Sequence, residues 1–209
     1  MKRALLLLLA AAAVLVESAA ARPAVDEKPR AAPSSRAVGK WYAGRLVDGV
    51  QFPAEGFDFV TWDPIRRRTP NRAWRRWATQ GLIDATMLVL REYRDAHPDA
   101  PRVLVGDLSR PQGGPFGARY GGLGHASHQN GLDVDVYYPR RDGRAVEAAR
   151  PDQVDEEASQ ALVDRFVRAG AVRVYTGPSL SLRGPRRVVR KLVHHDDHMH
   201  VRFRRSSDL

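Results

Sequence analysis

The sequence has no cysteine among its 209 residues. Disulfides, thiol nucleophiles and thiolate metal ligands are therefore excluded, so packing or a bound metal must stabilise the fold. Two hydrolase signatures are also missing. There is no HExxH motif, which marks a helix-borne zinc protease, and no GxSxG motif, which marks a serine hydrolase.

Long hydrophobic runs are scarce as well. The N-terminal run, Leu5 to Val16, is shorter than the ~20 residues that a membrane-spanning helix needs. It follows Lys2 and Arg3 and precedes small residues, which is the pattern of a secretory signal peptide. We expect residues 1–21 to be a signal peptide rather than a retained membrane anchor, with no stable membrane insertion after cleavage. Residues 22–39, rich in Pro, Ala and charge, are expected to be a disordered linker, and 206–209 a tail.

The charge of the chain is strongly basic, with 34 Lys and Arg against 24 Asp and Glu and a net charge of +10. Such an excess concerns partners rather than fold. An exported protein rarely meets nucleic acid, so we expect an anionic cell-wall polymer or membrane surface as the acidic partner, and no nucleic acid. Solvated surface charge is the expectation for most of the arginine runs, which are Arg66-Arg67-Arg68, Arg75-Arg76, Arg140-Arg141, Arg186-Arg187 and Arg204-Arg205. The sequence does not specify an oligomeric state.

The hydrophobic pattern predicts both helices and strands. Helical periodicity extends from Arg72 to His97, after a plausible N-cap at Asn71, and from Val154 to Ala169, before Gly170. Short apolar runs predict strands at Arg102–Leu108, Gly131–Tyr138, Val172–Tyr175 and Met199–Phe203, while Val188 to Leu192 leads toward the last of these. Because strands and helices do not strictly alternate, we expect a single α+β domain over residues 40–205. Its central sheet should be mostly antiparallel and flanked by helices.

Histidine is concentrated in two short segments that hold six of the seven histidines. The first segment carries His125, His128, Asp133 and Asp135. The second carries His194, His195, Asp196, Asp197, His198 and His200. Imidazoles beside carboxylates, with no cysteine, are typical of a zinc site built from nitrogen and oxygen ligands.

The period of a strand suggests how these side chains meet. Asp133 and Asp135 lie on the same face of the first strand, and His198 and His200 lie on the same face of the second strand. If the two strands are neighbours, these groups converge, and His128 can close over them from its loop. Two histidines, one aspartate and an open position for water form the pattern of catalytic zinc, which activates that water. Spacing alone leaves either aspartate as the ligand, and His198 is available for proton transfer.

The stretches GHASHQNGLDVD and HxxHMHVR resemble the penicillin-insensitive murein endopeptidases, zinc peptidases related to the lysostaphin-type and D-Ala-D-Ala metallopeptidases. That group shares a His, six residues and then Asp, with a later HxH. His128 to Asp135 meets the first spacing, and His198-Met199-His200 meets the second. GDLSRPQGG (Gly106 to Gly114) and GRLVDGVQFP near Gly44 extend the resemblance over most of the chain.

The resemblance implies a role for each residue of the two segments. The implied zinc ligands are His128, Asp135 and His200. Asp133 would then lie behind the ligands and orient one of them. His198 is implied as the catalytic histidine, His195 as a second histidine at the reacting centre, and His125 as a ligand of an accessory metal. Some family members have disulfides, which this chain cannot form.

The implied reaction is hydrolysis of D-alanyl–meso-diaminopimelyl cross-links of peptidoglycan in the periplasm. Water activated by zinc would attack the amide without an acyl-enzyme, so β-lactams would not inhibit the enzyme. Two alternatives are a D,D- or L,D-carboxypeptidase on the same scaffold and a non-catalytic, zinc-stabilised cell-wall-binding module. The presence of His198 and an open ligand position argue against the binding module.

Overall fold

The structure, a computed structural model, describes residues 35–117 and 125–205. The expected signal peptide, the linker up to residue 34 and the tail at 206–209 lie outside these residues. Strand β1 (Arg36–Lys40) begins within the segment expected to be disordered. It pairs antiparallel with β2 (Ala43–Val47). The pairing provides hydrogen-bond partners for the backbone N–H and C=O groups of β1, and the amino-acid composition of the segment does not predict it.

A six-stranded sheet organises this part of the chain. Its strands, in spatial order, are β4 (Phe59–Thr61), β6 (Val103–Val105), β7 (Asp133–Tyr137), β10 (His198–Arg202), β8 (Arg173–Thr176) and β9 (Val189–Lys191). The three inner pairs are antiparallel, while β4–β6 and β8–β9 at the two edges are parallel. The expected α+β fold with a mostly antiparallel sheet is confirmed.

Helix α1 (Gln80–Ala96) is shorter than expected. The hydroxyl of Thr79 accepts a hydrogen bond from the backbone N of Leu82, so Thr79 is the N-cap and the prediction of Asn71 was wrong. The preceding residues form a 3-10 turn at Ala73–Arg75 and strand β5 (Trp77–Ala78), which pairs with β3 (Val50–Gln51). This pairing overrides the helical spacing of the apolar residues.

Helix α2 (Glu156–Arg168) has the ends that its sequence predicts. The carboxylate of Asp155 accepts a hydrogen bond from the backbone N of Ala158, acidic residues fill the first turn, and basic residues fill the last. Gly170 follows with a φ of +93°, a conformation that glycine adopts without strain. Neither helix of the described ranges has the length and apolarity needed to cross a bilayer.

The main core packs both helices against one face of the sheet. Its buried members include Val134, Val136, Met199, Val201, Leu82, Leu90, Leu162 and Phe166. Because side chains alternate along a strand, the remaining positions of β7 and β10 point to the opposite face. That opposite face holds the polar residues of the two histidine segments.

Candidate metal centre

Strands β7 and β10 are hydrogen-bonded neighbours. The two histidine segments require this pairing to form one site. Their antiparallel register places His200 opposite Asp135 and Arg202 opposite Asp133. His200 Nδ1 lies 3.0 Å from Asp135 Oδ1, and His200 Nε2 lies 2.9 Å from Asp133 Oδ1. Arg202 donates from Nε to Asp133 Oδ1 at 2.5 Å. The strand pairing therefore brings both aspartates to one imidazole.

The protonation of these groups follows from their burial and their partners. Burial opposes the charge of His200, but its contacts with Asp133 and Asp135 outweigh burial and raise its pKa to about 9. Burial also opposes ionisation of Asp133, yet the hydrogen bond from His200 lowers the pKa of that carboxyl. The pKa of Asp135 is likewise held well below its ordinary value, against burial, by the neighbouring histidines.

His128 lies on the loop before β7 and is almost completely buried, with 1 % of its surface exposed. Its backbone has a φ of +63°, which is uncommon for a non-glycine residue, and its backbone N donates to Asp133 Oδ2 at 3.2 Å. The loop is supported from outside, because the backbone N of Gln129 donates to the carbonyl of Trp41. Gly113 packs so closely here that a Cβ would lie 2.2 Å from the carbonyl of Gln129.

The side chain of His128 is suited to hold a metal. Among the described residues, neither of its ring nitrogens has a hydrogen-bond partner, although Nε2 lies 3.3 Å from Asp135 Oδ1. Buried polar atoms are rarely left unpaired, and coordination of a metal ion would satisfy a ring nitrogen of this imidazole. Burial also lowers the pKa of His128, which favours the neutral imidazole that metals bind.

His125 extends this cluster. Ligand atoms of His125, His128 and Asp135 all lie within 4.8 Å of one another, a grouping that could hold a metal ion. His200 is attached to this group through Asp135, and its ring centroid lies 4.8 Å from that of His128. The structure thus brings together the four residues that the family resemblance implies as metal ligands: His125, His128, Asp135 and His200.

A buried ion pair supports His125 from behind, and the sequence did not predict it. Asp107 Oδ2 lies 2.7 Å from His125 Nε2, and Arg75 donates from Nε to Asp107 Oδ1 at 2.6 Å. Asn71 also donates to Asp107 Oδ1, at 2.9 Å. Arg75 and Arg76 are both buried, so the expectation of solvated charge was wrong for this pair. The only hint of this role in the sequence was the position of Asp107, which lies in the GDLSRPQGG stretch directly after a buried strand.

His198 lies beside the cluster with one nitrogen held by a carboxylate. Its Nδ1 donates to Asp197 Oδ1 at 2.7 Å, and its Nε2 lies 3.9 Å from Asp135 Oδ1. Burial opposes its charge, but Asp135 and Asp197 outweigh burial and raise the pKa of His198. The ring of His195 lies 4.8 Å from that of His198, and burial lowers the pKa of His195. The charged form is therefore favoured for His198 and the neutral form for His195, although their rings are neighbours.

The fold and this site together define an α+β protein with a candidate hydrolytic metal centre. A family model described as penicillin-insensitive murein endopeptidase matches residues 37–182. The chain belongs to the penicillin-insensitive murein endopeptidase family, which is a family of peptidases. The match ends before the second histidine segment, so it is the pairing of β10 with β7 that joins that segment to the matched region.

Individual relatives agree with this assignment. A penicillin-insensitive murein endopeptidase of Yersinia enterocolitica is 27% identical over 202 residues, covering 84% of this chain and 68% of the relative. A protein of the same name from Salmonella arizonae has the same identity and coverage. One from Pectobacterium atrosepticum is 31% identical over 132 residues, covering 51% of this chain and 45% of the relative.

Proposed function

We propose that the protein is an exported zinc metallo-endopeptidase that hydrolyses the D-alanyl–meso-diaminopimelyl cross-links of peptidoglycan. The observation that carries this proposal is the buried His128 imidazole. It has no hydrogen-bond partner among the described residues and lies beside Asp135, in a member of a murein endopeptidase family. Zinc fits the site because imidazole and carboxylate are ligands that it accepts.

His128, Asp135 and His200 are the proposed zinc ligands. The contact between Asp133 and His200 Nε2 supports this assignment, because a carboxylate that holds one imidazole nitrogen fixes the orientation of the other. His125 is proposed as the ligand of an accessory metal, with Asp107 as the carboxylate behind it. When bound, zinc supplies Lewis-acid polarisation and water activation.

His198 is the proposed catalytic proton donor and acceptor. Asp197 is ionised, since the hydrogen bond from His198 lowers the pKa of its carboxyl against the effect of burial. It therefore accepts the Nδ1 proton of His198, which leaves Nε2 directed toward Asp135 and available to the substrate. His195, whose ring centroid lies 4.8 Å from that of His198, is proposed as a second histidine that contacts the reacting groups.

The substrate proposal follows from the family and from charge. Peptidoglycan peptides carry free carboxylates, and arginine guanidinium groups bind carboxylates through two parallel hydrogen bonds. The net charge of +10 favours such a partner. Attack by water rather than by a serine also implies activity in the presence of β-lactams. The periplasm, where peptidoglycan is accessible, is the proposed location of the enzyme.

Digestion of purified cross-linked muropeptide dimers by the zinc-loaded protein tests this proposal. The products are resolved by mass. Conversion of dimers to monomers is expected. Loss of a terminal D-alanine from intact dimers would instead identify a carboxypeptidase. Unchanged dimers, with protein shown to be folded and to contain zinc, would identify a binding module.

A further inference from the structure

A groove of about 420 Å³ opens beside the second histidine segment. Its volume lies within the range of sites that bind small ligands. The charged and polar residues that line it are Arg67, Glu147, Arg150, His194, Asp196 and Asp197. The lining thus mixes cations and anions, which suits a ligand that carries both signs of charge.

The groove adjoins the candidate metal centre through one residue. Asp197 lines the groove, and its Oδ1 is the atom that accepts the Nδ1 proton of His198 at 2.7 Å. His198 Nε2 in turn lies 3.9 Å from Asp135. A molecule in the groove is therefore separated from the proposed catalytic histidine by one carboxylate group.

Backbone conformation marks the groove independently of its charge. The non-glycine residues with positive φ in the described ranges are Asp48, Arg67, His128 and His194. Arg67 and His194 line the groove, with φ values of 49° and 63°, and His128 belongs to the metal centre. Such conformations are unfavourable for residues with a side chain and persist where the surroundings enforce them, often at functional sites.

Hydrogen bonds and ion pairs hold several of the residues that line the groove. Arg67 Nη2 lies 2.6 Å from Glu147 Oε1, while the other oxygen of Glu147 accepts a hydrogen bond from Trp62 Nε1. Asp196, another lining residue, accepts hydrogen bonds from the backbone N and the hydroxyl of Ser179. Arg150 also has a carboxylate partner, because its Nε lies 3.0 Å from Asp152 Oδ1. The side chains of Arg67 and Arg150 nevertheless remain largely exposed, with 65% and 67% accessible. Exposed ion pairs contribute little to stability, so a ligand carboxylate can compete for both guanidinium groups.

We propose that this groove binds the part of the cross-link that contains the nitrogen of the cleaved amide. This inference rests on the proposed function. In the cross-link, the diaminopimelate centre that carries this nitrogen also carries a free carboxylate, which Arg67 and Arg150 bind. Hydrolysis converts the nitrogen into an ammonium group, for which Asp197 at the catalytic end is the acceptor. The groove thus selects a peptide with a carboxylate next to the cleaved bond.

Variants of the two arginines test this inference with a matched pair of substrates. Arg67→Gln and Arg150→Gln are compared with Arg91→Gln, an exposed position on α1 that does not line the groove. One dimer has the free carboxylate and the other carries an amide in its place. We expect either groove variant to raise KM for the carboxylate dimer about 10- to 100-fold, with kcat little changed, because a hydrogen bond to a charged group is lost. KM for the amidated dimer should not change.

An equal rise in KM for both dimers, or no rise in either, would overturn the inference while leaving endopeptidase activity established. If the wild type cleaves neither dimer, the proposed function fails, and calorimetry with the diaminopimelate-containing monomer peptide decides about the groove. Binding to the wild type that weakens in Arg67→Gln, but not in Arg91→Gln, would support the groove. Binding that is absent, or that is equal in all three proteins, would overturn it.

Discussion

Asp135 and His200 face each other across the β7–β10 pair, with Asp135 Oδ1 3.0 Å from His200 Nδ1. The two residues are 65 positions apart in the sequence, and the pairing of their strands brings them together. A shift by one residue would turn every side chain of a strand to the other face. Val134 and Val201, the buried apolar residues next to them in the two strands, help to fix that register and so contribute indirectly to the geometry of the candidate metal centre.

Replacing His128 by alanine should remove tightly bound zinc. Its buried imidazole has no hydrogen-bond partner among the described residues, so we expect a metal to be its main polar interaction. The wild type should hold about one zinc per chain after purification without added metal, and His128→Ala much less. His97→Ala is the control, because His97 is outside both histidine segments. Elemental analysis of folded protein provides the measurement, and full zinc in His128→Ala would remove His128 from the ligand set.

Replacing His198 should separate catalysis from metal binding. We expect His198→Ala to retain zinc and to lose activity on cross-linked dimers by ~100- to 10,000-fold, the usual contribution of a general acid or base. Activity and zinc content are measured on the same preparation. If zinc falls in parallel with activity, His198 is a ligand and the division of roles is incorrect.

Ser127 provides a test of the nucleophile. Its hydroxyl lies 3.5 Å from His200 Nε2, so a serine mechanism is geometrically conceivable. The same nitrogen, however, has a shorter contact of 2.9 Å with Asp133. We therefore expect Ser127→Ala to keep kcat for cross-linked dimers within a few-fold of the wild type. A loss similar to that of His198→Ala would indicate that Ser127 takes part in the reaction.

The ion pair of Arg75 and Asp107 should be important for stability. Removing Arg75 leaves a buried carboxylate with less compensation, which typically costs about 3–5 kcal/mol. We expect Arg75→Ala to lower the free energy of unfolding by roughly this amount. Arg91→Ala, at an exposed position, should change it by less than about 0.5 kcal/mol. Urea unfolding of both variants checks this. Equal stabilities would contradict the role given to the pair.

The same pair predicts a response to acid. Hydrogen bonds from Arg75 and His125 outweigh burial and lower the pKa of Asp107 to about 2, from an ordinary 3.8. Because the folded-state pKa is the lower one, this contribution to stability is present above pH 3.8 and is lost as the pH falls toward 2. In the metal-free protein, the carboxyl carbon of Asp107 should keep its ionised NMR shift at pH 3. A transition centred near pH 4 would contradict this.

Local patterns in the sequence were sufficient to predict the centre of the sheet. Alternation along Asp133–Tyr137 and His198–Arg202 separates core side chains from polar ones, and the structure has the same separation. Helix α2 was predicted well because its capping residues and charges agree with its periodicity. Which strands pair depends on contacts between distant parts of the chain. The sequence therefore predicted a joint site only on the condition that these two strands are neighbours.

The residues before α1 could not be predicted in this way. Arg72 to Trp77 has helical spacing, but Trp77 pairs with Gln51 and Arg75 turns inward to Asp107. Both interactions join residues that are far apart in the sequence. The groove was missed for the same reason, because Arg67, Glu147 and His194 come from three separate turns and loops.

The most direct test of the central claim is cleavage of cross-linked muropeptide dimers under two inhibitors. The purified protein is incubated with the dimers alone, with penicillin, with a zinc chelator, and with chelator followed by excess zinc. We predict monomers in the untreated and penicillin samples, none with chelator, and recovery when zinc is restored. Cleavage that persists in full after the metal is shown to be removed, or that penicillin abolishes, would contradict the assignment of a zinc endopeptidase.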